Sequence, residues 1–306
     1  MRTPVALVKK GRLGDTSLIN LLKSYIQLRT SDPSIGICMK QNLIDNLWQE
    51  TLVFEFDTDY KLTIGAVELY VKSLKNEWQF SYRYITGDET KNEKEVHLST
   101  LKDLRKDGLE LMRFVRDDDD NAIQIRPRLA NKNIVAKPYM PLFLPSQQTV
   151  TIYISTPVWL AIFQNQQSRP LMELPTFILS DSWFGPTPHI GELCYASLFS
   201  GRIDLSSLPR RASRIITPVT ITNNGIDNLK LEKISIPCDY LAIYANSANE
   251  LWTPTLSIVR ETDQSKTRMS IDKKLHPKLL DAKRIAEPRV LDQTGLLSKT
   301  IDMLFS

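Results

Sequence analysis

Three cysteines in 306 residues, Cys38, Cys194 and Cys238, are too few for a disulfide scaffold. None sits in a CxxC pair, so they read as free thiols of a reducing compartment. The three histidines, His97, His189 and His276, lie far apart without HxxxH or HxH spacing, which disfavours a zinc enzyme. Eleven glycines form neither GxGxxG nor GxxxxGKS/T, so the phosphate-cradling loops of nucleotide enzymes are missing. No metal and no cofactor is expected. No apolar run approaches the roughly 20 residues of a spanning helix, so no transmembrane segment is expected. Met1–Gly14 carries Lys9, Lys10 and Arg12 after a weak apolar patch, the reverse of a secretory leader. A cytoplasmic location follows. The net charge of +4 is a mild bias over a long chain, short of the clustered basic footprint of a nucleic-acid binder.

What is present is an ordinary globular composition, 24% charged and 42% hydrophobic, on a chain long enough to bury a core. Residues 1–51 read as a helical prefix. Leu18, Ile19, Leu22, Tyr25 and Ile26 recur at helical spacing between Asp15 and Arg29, and Leu43, Ile44, Leu47 and Trp48 do so between Lys40 and Glu50. The period then falls to two. Leu62 and Ile64, then Val67, Leu69 and Val71, alternate around a three-residue step at Gly65–Ala66 that suggests a bulge. Trp78, Phe80, Tyr82 and Tyr84 give a second strand of a hairpin. His97–Asp107 is expected as a short helix, and Leu109–Val115 and Ala122–Leu129 as strands.

Four prolines between Lys137 and Phe163 exclude a helix there, and Val158–Phe163 is a continuous apolar run suited to a strand buried on both faces. Short strands continue to Met269–Ile271, with a further bulge expected at Glu232–Lys233. The pattern predicts a mainly β fold, an antiparallel β-sandwich of two packed sheets over 52–273, with a break near 130–148 that would divide two β subdomains. Residues 274–306 return to helical spacing as a C-terminal amphipathic helix interrupted at Pro288.

The unusual residues concentrate between Leu171 and Leu205. Ser180–Pro186, holding Asp181, Trp183 and Phe184, reads as a loop between two apolar runs, and such loops commonly carry function. Asp181 and Glu192 could serve as an acid and base pair, and His189 could activate Cys194 as a nucleophile. Against this, Cys194 alternates with Leu193 and Tyr195 as a strand thiol does when it acts as a small hydrophobe. Asp181 after Ser180 also fits a turn bonding nearby backbone. Asp117–Asp120 reads as a solvated turn rather than a calcium site, because consecutive side chains diverge. Arg210, Arg211 and Arg214 form a basic cluster that could grip an anionic ligand or acidic partner. Trp183 and Phe184 could line the interface or plug the end of the sandwich.

The strings LPTFILSDSWFGP (Leu174–Pro186), GELCYAS (Gly191–Ser197), RIITPVTITN (Arg214–Asn223), YLAIYAN (Tyr240–Asn246) and LWTPTLSIVRE (Leu251–Glu261) resemble the family filed as domain of unknown function four-thirty-two, of uncharacterised archaeal and bacterial proteins. The likeness runs from about Leu52 to Ser306 and leaves out the prefix. The family has no assigned activity. The resemblance implies a membrane-associated partner, such as a small mechanosensitive channel. The residues themselves favour a non-enzymatic binding or regulatory module using Trp183, Phe184, Arg210, Arg211 and Arg214. The alternative is a small hydrolase or transferase using Asp181, His189, Glu192 and Cys194. Oligomeric state is not legible.

Overall fold

From Asp59 to Ile64 every second side chain is buried, Tyr60, Leu62 and Ile64, while Lys61 and Thr63 face the other way. That alternation, recurring along the chain, is the origin of a mainly β fold. The computed structural model describes residues 42–43, 47–85, 96–101, 109–116, 120–164, 167–187, 189–199, 202–209, 211–262 and 267–291, all within one compact unit spanning 40–306.

Five sheets form. The first is antiparallel throughout, in the order β1 (Asn42–Leu43), β6 (His97–Leu101), β3 (Asp59–Ile64), β4 (Val67–Leu74), β5 (Glu77–Tyr84) and β7 (Met112–Val115). The second is β13 (Met172–Pro175), β12 (Trp159–Gln164), β8 (Ala122–Arg128) and β2 (Thr51–Val53). The third is β14 (Ser180–Thr187), β15 (Ile190–Phe199), β9 (Ile134–Pro138) and β18 (Ile234–Ile236), in which β15 and β9 run parallel. The fourth has seven strands: β22 (Thr267–Ile271), β21 (Leu256–Arg260), β16 (Arg214–Asn223), β20 (Leu251–Trp252), β19 (Ile243–Ala245) and β23 (Lys283–Ala286), with β11 (Gln148–Pro157) paired to β16 along its length. There β16 runs parallel to both β20 and β21. β10 (Leu142–Leu144) and β17 (Leu229–Leu231) make a two-stranded ribbon.

Side chains from all five sheets enter one apolar core, among them Ile64, Leu160, Ile134, Val219 and Leu231. Each such burial contributes about 1.5–3 kcal/mol, which is why β12, interior in its sheet and buried along its whole length, is apolar from Trp159 to Phe163.

A mainly β fold was expected and is found, but a two-sheet sandwich is replaced by five sheets with some parallel pairing. Most of the helical prefix lies outside the described residues. Within it, Asn42–Leu43 is a strand paired with His97–Leu98, so cross-strand pairing overrides the helical spacing of Lys40–Glu50. The stretch His97–Leu101, expected to begin a helix, is strand β6, and residues 102–108 lie outside the described set. The C-terminal helix is expected over 274–306, of which 292–306 are outside. The described part is a 3-10 turn at Pro277–Leu279 followed by β23. Pro277 and Pro288 leave too few residues between them for a stable helix, and the β19 edge takes the chain instead.

Neither expected bulge exists. Ile64 pairs with Val67, leaving Gly65 and Ala66 as a two-residue hairpin turn with Gly65 at φ +60°. A Cβ on Gly65 would lie 2.9 Å from Phe177 Cε2 and from Ser213 Cβ, so only glycine fits there. The Ala66 N–H donates to Thr176 O at 3.0 Å, and the Thr176 hydroxyl shares its one proton between Val158 O and Ser213 O. These bonds fasten the approach to β14 against the first sheet. Glu232–Lys233 is a switch between sheets, since β17 pairs with β10 and β18 with β9.

Candidate functional site

The stretch Ser180–Pro186 is not a loop but an edge strand. β14 and β15 form an antiparallel hairpin whose register pairs Asp181 with Tyr195, Ser182 with Cys194, Trp183 with Leu193 and Phe184 with Glu192. Gly185 and Pro186 fall where the register shifts between Phe184 and Thr187, and an edge tolerates a proline because its missing N–H leaves no ladder bond broken. Gly191 has a separate cause. A Cβ there would lie 2.7 Å from Trp183 Nε1 and 2.6 Å from Phe184 O, so its absence lets the indole lie across the neighbouring strand.

Residues directly opposite in such a ladder share a face, and successive residues alternate. One face therefore carries Ser182, Phe184, Glu192 and Cys194. The other carries Asp181, Trp183, Leu193 and Tyr195. On the first, Phe184 and Cys194 are buried with Val135 in a small apolar cluster. On the second, Tyr195 packs against the main core while Trp183 and Leu193, at 48% and 51% exposure, stand side by side in solvent.

The acid and base pair is thus not assembled, since Asp181 and Glu192 face opposite ways. Asp181 binds Lys132 Nζ at 2.9 Å, and Glu192 accepts a hydrogen bond from Asn133 Nδ2. The Lys132 pair holds that ammonium above its usual range. His189 is exposed in the turn joining the strands. Cys194 donates its thiol to Ser182 O at 3.3 Å, and burial, reinforced by Glu192, pushes it up to about 11. A nucleophilic thiol needs the opposite shift.

A strut missed in the sequence braces this hairpin. Asn131 Oδ1 accepts from Tyr195 Oη, Lys132 pairs with Asp181 and lies 4.8 Å from the Tyr195 ring centroid, and Asn133 reaches Glu192 on the other face. An Asn-Lys-Asn run carries no motif of its own, and it is the bond from the Tyr195 N–H to Asn133 O that brings it beside β15.

Of the arginine cluster, Arg214 is turned into the fold. Arg214 donates to Ser155 Oγ at 3.0 Å and to Ser155 O at 3.2 Å and lies over the Phe177 ring, so its guanidinium is engaged within the fold. Arg211 is half-buried and its carbonyl accepts from the Arg214 N–H. Arg210 lies outside the described residues, as do Asp117–Asp119. Asp120 is used locally, its Oδ1 accepting from the Ala122 N–H. Among the described residues, no helix is long and apolar enough to cross a membrane.

A family model described as Protein of unknown function (DUF432) matches residues 49–305. No curated protein and no solved structure matches the chain.

Proposed function

The chain belongs to that family of unknown function, and from that premise we propose that it is a cytoplasmic, non-enzymatic binding module whose β14–β15 hairpin meets a protein partner. The observation that carries this is the exposed Trp183–Leu193 pair, held rigidly over Gly191 at a sheet edge. Large apolar side chains at the centre of an interface supply most of its energy, and tryptophan is prominent among them. Phe184 supports the ridge from beneath rather than touching a partner, because it is 1% exposed. Of the arginines, Arg214 is a positioning residue for β11 and β16. The hydrolase or transferase reading loses support from the opposed directions of Asp181 and Glu192 and from the protonated Cys194.

The test is affinity capture from the native cells with wild type, Trp183→Ser and Leu193→Ser. The family resemblance makes a membrane-associated protein, such as a small mechanosensitive channel, the first partner to look for. Specific proteins held by wild type and lost from both variants, at unchanged melting temperature, are expected. Identical captures from all three would remove the hairpin from the interface.

A further inference from the structure

Between Asp272 and Glu287 the chain forms a strap along the β19 edge of the seven-stranded sheet. Its inner side is firmly mounted. Leu279 is 1% exposed in a cluster with Ile216 and Trp252, the His276 ring stacks on Trp252 at 5.4 Å, and β23 pairs with β19. Its exposed side chains are largely cationic: Lys273, Lys274 and Lys278 around the 3-10 turn, and Lys283 and Arg284 on β23. Three carboxylates share the strap, and each is engaged: Asp272 accepts from Ser257 Oγ at 2.5 Å, Glu287 pairs with Arg284 at 2.7 Å, and Asp281 is held below its usual range by a hydrogen bond from Ser247. Amid these cations Leu280, the neighbour of buried Leu279, is 82% exposed.

We propose that this strap docks on an anionic phospholipid bilayer. Cations and one outward leucine on a rigid mount match a surface that offers negative headgroups with hydrocarbon just below them. A nucleic acid would engage the lysines equally but leaves Leu280 unused. The interaction is weak and reversible, because one leucine adds little to the electrostatic attraction, and salt screens that attraction over about 10 Å. It is independent of the hairpin, since none of its residues lies there.

Vesicle sedimentation tests it with the full chain. Wild type is expected to sediment with phosphatidylcholine vesicles containing phosphatidylglycerol at low salt, and not with phosphatidylcholine alone or at high salt. The triple variant K273Q/K274Q/K278Q should bind anionic vesicles about a hundredfold more weakly. Leu280→Ser should bind about tenfold more weakly. All four side chains are exposed, and an unchanged melting temperature will show that the fold is intact. Failure of wild type to sediment with anionic vesicles at low salt overturns the proposal. So does undiminished binding by Leu280→Ser, which would make the strap a general polyanion surface.

Discussion

Arg116 lies over Trp78, its guanidinium carbon 4.8 Å from the indole centroid. The arginine is 5% exposed, and its other flank meets the Phe56 ring at 5.2 Å. It donates to the carbonyls of Leu74, Lys75 and Asp120 and to Ser73 Oγ, closing the β4–β5 turn with a buried cation held by uncharged oxygens. Replacing it with alanine strands those carbonyls and should cost roughly 3 kcal/mol in urea unfolding. Arg116→Lys should recover only part of this, because an ammonium cannot lie flat between two rings while reaching several acceptors. A loss below about 1 kcal/mol for Arg116→Ala would show the clamp to be incidental.

Cys194 and Cys238 should resist alkylation. Burial raises Cys194 to about 11 and Cys238 to about 12. Near pH 8 only about one Cys194 thiol in a thousand is then ionised, and reactivity follows the thiolate. In a Cys38→Ser background, maleimide should label nothing in the folded protein and both thiols in denaturant. Native labelling of Cys194 at the rate of a free thiol would return the nucleophile reading to consideration.

His276 should make stability depend on pH. Its Nδ1 accepts from the Lys278 N–H at 3.2 Å, which only the neutral ring can do, and Nε2 contacts Tyr153 Oη at 3.2 Å. Burial first, then Lys278, lowers its folded pKa from the ordinary 6.5. The unfolded chain therefore binds the proton more readily, so the contribution is full above about 6.5 and declines as pH falls from there towards the folded value. His276→Asn keeps a cap acceptor without a titrating ring. Melting temperature should fall on acidification more in wild type than in this variant, and parallel curves would exclude the histidine as the cause.

Strand periodicity made the body of the fold legible. Trp78 and Phe80 are buried, as their alternation required, and Val158–Phe163 is buried on both faces. Pairing register was not legible, and it decided the site. Asp181 and Glu192 look like neighbours across a turn until the ladder sets Asp181 opposite Tyr195 and Glu192 opposite Phe184. The helical spacing of Leu279, Leu280 and Ile285 misled for a related reason. An open sheet edge offers backbone hydrogen bonds that a short, proline-bounded segment cannot supply to itself. Exposure was equally hidden: Trp183 and Phe184 are adjacent in sequence, yet one is in solvent and the other in the core.

The position of β16 bears on synthesis. One of its flanks is completed by β11, which precedes it, but the other waits for β20 and β21, which begin at Leu251 and Leu256. A nascent chain halted before those residues emerge holds an unfinished sheet with Val219 and Ile221 uncovered on one side. Contacts this distant in sequence form slowly. Resistance to protease should therefore arise late, after most of the polypeptide has left the ribosome, and the half-made species is the one that chaperones must shield.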